Sequence, residues 1–296
     1  MILITGVSGF IGKPLLTALV SYFGKKKIVA LTSSPIEECD FLLHDNYTFS
    51  ADYFIDSGFD AIDTIIHLGA YTPKNSSEAN HIVHCNSNIL NTAKLLSAKF
   101  PALKRILYIS TLDVYGDAQI ITEDTVLEPS TLYGASKLYC EKMVTTWAKE
   151  NDKIGQVLRV GHVYGPGEES YQKVIPNTIK NLIKKNPLIV WGSGSEIRSF
   201  IFIDDIVKAI LNALKLKDNV GPINLVSDQQ ISIIELVQKL VEISGEKAQI
   251  NYVNPDFKSK DFIFNASKMK KFLLSDEISL ENGLFKEWTY MKGLRS

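Results

Sequence analysis

Through its first 160 residues the chain alternates short apolar runs with longer amphipathic stretches, and this alternation constrains the fold most. The runs lie at Met1 to Ile4, Ile28 to Leu31, Thr64 to Leu68, Arg105 to Ile109 and Gly155 to Arg159. Short, unbroken and rich in Ile, Val and Leu, they have the signature of strands buried on both faces. Between them the spacing predicts helices over Phe10 to Tyr22, His81 to Phe100 and Tyr133 to Asn151. The second carries Ile82, Cys85, Ile89, Ala93 and Leu96 at helical spacing, which predicts an apolar face. Buried strands joined by helices long enough to cross over imply an α/β chain with a doubly wound parallel sheet.

Beyond residue 160 the pattern changes. Gly165-Pro166-Gly167 and Gly192-Ser193-Gly194 mark turns, and shorter helical stretches follow near Asp205 to Leu216 and Ile231 to Ser244. A nucleotide-binding domain over 1–160 is therefore expected, with a smaller α/β substrate lobe over 161–296 interleaved with the sheet. The balance of 32 Lys+Arg against 33 Asp+Glu leaves a net charge of −1, without the basic excess that nucleic acid requires. No apolar run approaches the ~18 residues of a membrane span. The first residues pass straight into Ile2-Leu3-Ile4 without a basic leader. Cys39, Cys85 and Cys140 form no CxxC pair and read as packed thiols in a reducing compartment, so a cytoplasmic location is expected. Lys25-Lys26-Lys27 reads as a solvated loop.

Directly after the first run, Gly6, Gly9 and Gly12 stand three residues apart where a helix opens. In that setting the first glycine serves a tight turn, the second lets backbone approach a pyrophosphate, and the third permits close helix packing. The helix N-terminus adds N–H donors for the anion, so the pattern predicts a Rossmann-type dinucleotide site. The second run ends in Thr32, Ser33 and Ser34, where a carboxylate for the ribose of NAD would stand. No carboxylate is there, and no Arg either, so NADP is favoured slightly over NAD.

Tyr133 and Lys137 stand four residues apart in Tyr133-Gly134-Ala135-Ser136-Lys137, hence on one helical face. An ammonium there lowers the cost of ionising the phenol, making it a workable acid or base near neutral pH. Thr111, at the end of the fourth strand, is placed to hydrogen-bond a substrate oxygen beside the tyrosine. His44, His67, His81 and His84 show no metal spacing with a carboxylate partner, and no metal is expected.

Together these stretches resemble the extended short-chain dehydrogenases/reductases, in the nucleotide-sugar epimerase/dehydratase branch. The resemblance rests on Thr5 to Gly12, Asp63 to Ala70, Asn88 to Thr92, Ser110 to Gly116, Tyr133 to Lys137, Arg159 to Gly167, Ile197 to Asp205, and Asn224 with Glu235-Leu236. It implies that Gly6, Gly9 and Gly12 hold a pyrophosphate, that Phe10 and Ile11 start the helix, and that Leu68, Gly69 and Ala70 border the cofactor. It further implies that Asp45 meets the adenine amino group and that Thr111, Tyr133 and Lys137 form the catalytic triad. Asn88 would buttress the site, and Arg198 would contact a substrate diphosphate, a surface ion pair with Asp204 or Asp205 being the plainer reading. A homodimer through the helices at 81–100 and 133–150 is also implied, with Met143, Val144 and Trp147 as candidate contacts, packing onto their own sheet being the equal alternative.

The departures matter equally. Members that dehydrate the sugar carry an Asp-Glu pair after the Thr, whereas this chain has Leu112-Asp113, leaving Asp113 as an accessory carboxylate at the substrate. His162 stands where the branch commonly has Asn, and Val226 where it commonly has Gly. His162 reads either as a contact to a phosphate or sugar oxygen or as a lining residue. The expected activity is hydride transfer at a hydroxyl or keto carbon, C4, of a nucleoside-diphosphate sugar, as an epimerase or a 4-ketoreductase. Competing readings are a reductase of an unrelated small carbonyl, a 4,6-dehydratase and a non-catalytic dinucleotide-binding regulator.

Overall fold

Each of the five apolar runs becomes a strand of one sheet. The computed structural model describes residues 1–254 and 260–294. In chain order its elements begin β1 (Ile2–Thr5), α1 (Gly12–Phe23), β2 (Ile28–Thr32), β3 (Asp40–Leu43), α2 (Tyr53–Asp56), β4 (Thr64–His67), α3 (Ile82–Ser97), β5 (Arg105–Thr111), α4 (Leu132–Glu150) and β6 (Ile154–Val160). They continue with β7 (Val163–Tyr164), α5 (Val174–Lys184), β8 (Leu188–Trp191), β9 (Ile197–Ser199), β10 (Ile201–Phe202), α6 (Ile203–Ala213) and β11 (Ile223–Leu225). The last are β12 (Gln230–Ser232), α7 (Ile233–Ser244), β13 (Ile250–Val253), α8 (Ser267–Phe272) and α9 (Leu280–Gly293).

The seven-stranded sheet runs β11-β6-β5-β4-β1-β2-β3, parallel from β3 through to β6. From β1 the chain builds outward to β2 and β3, then returns to β4 on the other side of β1 and builds away. The strand order therefore reverses between β1 and β4, where a crevice opens beyond the carboxyl ends of the strands. The edge strand β3 escapes sequence detection because only Leu42 of its four residues is buried, which leaves no apolar run to see.

The chain divides into two compact units: 1–117 with 126–160 and 207–224, and 118–125 with 161–206 and 225–296. In the first, Leu3, Val29, Leu31, Ile65, Ile106 and Tyr108 join Val144 of α4 in one buried cluster. Met143 and Trp147 pack against it, so the candidate dimer contacts on α4 are spent on the chain's own core. In the second unit the strands form three pairs: β7 with β10 and β8 with β13 in parallel, β9 with β12 antiparallel. Helix α7 opens with a capping box between Ser232 and Glu235. Cys39, Cys85 and Cys140 are free and buried, and Lys25–Lys27 form an exposed helical turn.

Two local expectations are corrected. Helix α1 begins at Gly12 rather than Phe10. On α3 the buried side is Cys85, Asn88, Thr92 and Leu95, while Ile82 is 73% exposed. Ile89 and Leu96 do pack against the core as the apolar spacing predicts, but Ile82 does not, and the buried centre of the face carries polar groups with partners there. Among the described residues no helix is long and apolar enough to cross a membrane.

Beneath β6 lies a buried ion pair. Arg159 donates through Nε and Nη2 to the two Glu141 carboxylate oxygens at 3.0 and 2.8 Å, both side chains being at most 5% exposed. Its Nη1 donates to the Tyr115 hydroxyl at 2.6 Å, and that hydroxyl donates onward to Asn224 Oδ1 at 2.8 Å. Removing one member strands a buried charge, so Glu141→Ala is expected to cost about 3–5 kcal/mol in a urea unfolding curve.

Candidate active site

At the reversal point the Gly6 turn closes tightly on Gly69. Gly6 has φ +75°, and a Cβ on it would stand 2.7 Å from the Gly69 nitrogen. A Cβ on Gly12 would collide with the Gly6 carbonyl oxygen. Both glycines are thus required by backbone meeting backbone. The result is a cleft of about 220 Å³ bordered by Gly6 to Ser8, Leu31 to Ser33, His44, Tyr47, Gly69 to Tyr71 and Asn91. None of these side chains is a carboxylate.

One hydrogen-bonded chain holds this cleft open. Thr92 Oγ1 donates to the Asn88 carbonyl at 2.8 Å, so it must accept from His67 Nε2, 3.0 Å away. His67 Nδ1 is then the acceptor for the Thr5 hydroxyl at 2.9 Å, while the Gly69 N–H donates to Thr5 Oγ1 at 2.8 Å. Burial, aided by the nearby Lys137 charge, pushes the His67 pKa down to about 3 and keeps the ring neutral. Asn88 extends the chain. Its Oδ1 accepts from the Tyr71 N–H at 2.7 Å, and its Nδ2 donates to Ser136 Oγ at 3.3 Å. Asn88 thus ties the loop after β4 to α4.

Helix α4 starts from a Thr131 cap that accepts from the Gly134 N–H at 3.1 Å. A Cβ on Gly134 would collide with the Asp113 carbonyl oxygen. The first turn of α4 therefore lies directly against the turn that follows Thr111. Tyr133 and Lys137 are both buried, and the Lys137 ammonium donates to the Ile109 carbonyl at 2.7 Å. Burial pushes its pKa down to about 8. Thr111 donates to Asp113 Oδ2 at 2.9 Å, and burial raises the Asp113 pKa. The structure thus gathers Thr111, Tyr133, Lys137 and Asp113 at one corner of the first unit.

Not every expected cofactor contact borders the cleft. Gly6, Thr32, Ser33, Gly69 and Ala70 do; Gly9, Phe10, Ile11, Gly12, Ser34 and Leu68 do not. Asp45 is exposed and accepts from Asn46 at 2.9 Å. His44 and Tyr47 take that side of the cleft, with ring centroids 4.4 Å apart. Tyr47 and Asn46 hold left-handed backbone at φ 55° and 47°, a conformation uncommon for such residues and concentrated at functional sites. Nothing in the local sequence announces it, which is why Tyr47 was missed.

In the second unit His162 is ringed by Phe200, Phe262 and Phe264 at 6.0, 5.8 and 5.7 Å. Its Nδ1 is buried with no hydrogen-bond partner among the described residues. Burial, with Arg198 and Lys173 nearby, pushes its pKa down to about 4. Arg198 lies over the Phe262 ring and donates to the Ile197 and Lys260 carbonyls at 2.8 and 2.6 Å. Asp204 pairs instead with Lys286 at 3.2 Å, and Asp205 accepts from the Ile278 N–H. No group of three or more His, Cys, Asp or Glu among the described residues is arranged to hold a metal.

Residues 2–226 match the NAD dependent epimerase/dehydratase family. The chain belongs to that family, among the enzymes of the extended short-chain dehydrogenase/reductase type. A dTDP-D-glucose 4,6-dehydratase of Dictyostelium discoideum is 32% identical over 82% of this chain, which spans 62% of that protein. An uncharacterised UDP-glucose epimerase of Bacillus subtilis is 28% identical over 99% of this chain and 98% of its own length. Among solved structures, a UDP-glucuronic acid 4-epimerase of Bacillus cereus in complex with UDP-glucuronic acid and NAD aligns with a TM-score of 0.85. That match has 27% identity and covers 99% of both chains.

Thr5 anchors the cleft through two buried contacts, so Thr5→Val should orphan the Gly69 N–H and the His67 ring. The expected outcome is about 1–3 kcal/mol lost in urea unfolding, together with weakened dinucleotide binding by fluorescence titration.

Proposed function

We propose that this protein is a C4 epimerase of a nucleoside-diphosphate sugar, with Tyr133 as proton-transfer group and a nicotinamide dinucleotide as resident cofactor. The observation that carries the reading is the buried Tyr133–Lys137 pair on α4, set against the turn that follows Thr111. The cleft fits the cofactor: backbone packed too closely for a Cβ at Gly6 lets a diphosphate approach the turn ahead of α1, where a helix N-terminus would supply donors, and the uncharged border accepts an adenosine. A bound nicotinamide would supply the hydride acceptor, and hydride returned to the opposite face of the carbonyl would complete the epimerisation.

The chain's own groups do the rest. Tyr133 removes the proton from the C4 hydroxyl and gives it back when the ketone is reduced. Lys137, charged below about pH 8, stabilises the phenolate and keeps donors for the ribose after serving the Ile109 carbonyl. Thr111 orients the reacting oxygen, with Asp113 fixing its hydroxyl. Arg198 and His162 serve the diphosphate-sugar. Leu112 has no proton to give, which argues against a 4,6-dehydratase although a relative carries that name.

A 4-ketoreductase consuming NADPH is the second reading, favoured by one feature. Thr32 and Ser33 at the end of β2, with no carboxylate bordering the cleft, leave room for a 2′-phosphate. A homodimer would use the solvent-facing side of α3 and α4, where Ile82, Val83, Leu90 and Tyr139 are 73, 70, 51 and 56% exposed.

Tyr133→Phe should lower turnover by about 10²-fold or more with cofactor affinity nearly unchanged; full turnover would remove Tyr133 from the chemistry. Denaturing the purified protein and identifying the dinucleotide released separates the two readings. Retained NAD supports the epimerase, and an empty protein that prefers NADPH in titration supports the reductase.

A further inference from the structure

The last helix carries a carboxylate where its packing stripe calls for an apolar side chain. Helix α9 buries Gly283, Leu284, Glu287, Trp288 and Met291 on one face. Gly283 is bare because a Cβ there would collide with the Tyr164 hydroxyl, which itself donates to the Leu280 carbonyl at 3.3 Å. One turn further on, fully buried Glu287 comes within hydrogen-bonding reach of Glu168, which is 1% exposed and follows the Gly165-Pro166-Gly167 turn.

Among the described residues all four carboxylate oxygens of the two side chains are buried and, apart from an ammonium beside Glu168, have no hydrogen-bond partner. One cation, Lys173, lies 3.3 Å from Glu168 and also donates to the Val163 carbonyl at 3.1 Å. A single proton shared between the carboxyls supplies the missing donor and leaves one negative charge for Lys173 to balance. Of the other groups around the pair, the charge of Glu169 favours keeping that proton. Tyr171 lies on the same segment and Tyr164 on β7, and Asp205 on α6 and Glu277 ahead of α9 face Tyr164, with Lys270 drawn to Glu277 at 3.6 Å.

We propose that Glu168 and Glu287 form a single proton-sharing pair that positions the 165–173 segment against α9, and that loss of the shared proton uncouples the two. Both are positioning residues. They act on the segment that directly follows His162 and β7, and the inference stands whatever the substrate is.

Burial, then the Glu168 charge, pushes the Glu287 pKa from 4.5 to about 10. The folded chain therefore keeps a proton that the unfolded chain has lost above the ordinary glutamate range. Stability conferred by the pair is complete below about 4.5 and falls as pH rises toward about 10. For one proton the unfolding constant rises about tenfold per pH unit across that window.

The test is urea unfolding of the full chain from about pH 6 to about pH 9, the neutral part of that window, for wild type, Glu287→Gln and Glu168→Gln. Hydrogen exchange over residues 161–175 and 280–293 accompanies it, corrected for the intrinsic pH dependence. Either glutamine supplies a donor that does not titrate, so the one carboxyl left can carry the single charge that Lys173 balances without taking up a proton. The expected result is a wild-type unfolding constant that steepens by about tenfold per unit relative to the variants, with exchange in both segments rising together only in wild type. Equal slopes in wild type and variants, or exchange that rises in one segment alone, overturn the proposal. If one variant does not fold, the other decides by the same criteria.

Discussion

The hydroxyl of Thr5 and the imidazole of His67 join β1 to β4 at the place where the strand order reverses. Parallel strands leave their last backbone groups without neighbours at such a point, and here side chains complete the pairing. Because Thr92 spends its proton on the Asn88 carbonyl, every donor and acceptor upstream has only one consistent assignment. A neutral His67 is required for that assignment, and burial secures it. The position of Gly69, and through Asn88 and Ser136 the start of α4, therefore descends from one buried ring.

This dependence explains which parts of the protein were legible in its sequence. Strands buried on both faces announce themselves by uninterrupted apolar residues, so β1, β2, β4, β5 and β6 were found within a residue or two. The Gly6 turn and the Tyr133–Lys137 pair were legible because each needs particular residues at a local spacing. Strand β3 was hidden, since an edge strand with one buried residue has no periodic signal. The face of α3 was legible only in part for a related reason: Cys85, Ile89 and Leu96 show in the apolar spacing, whereas Asn88 and Thr92 are buried by their hydrogen bonds, which a hydrophobic pattern cannot register.

The cofactor border shows the same division. Thr32 and Ser33 follow a strand end and could be placed from the fold's logic, whereas His44 and Tyr47 arrive through a left-handed backbone pair that no propensity predicts. Asp45, the residue the family resemblance points to, is exposed beside them. Glycines were legible as turn signals, yet the reason for Gly134 appears only when the Asp113 carbonyl is seen against it. The second unit was the least legible because its strands are two to four residues long and pair in twos.

The interleaving of the two units has a consequence for biosynthesis. The chain passes from one unit to the other at five places, and β11, at the border of the sheet beside β6, lies some sixty residues beyond that neighbour. A growing chain that has delivered every residue up to Val160 still exposes an unpaired β6 edge to its surroundings. Until Leu225 has left the ribosome, nothing from this chain can close that edge, and an open edge is where foreign strands attach. Stalled or truncated translation products are therefore the form of this protein most exposed to aggregation.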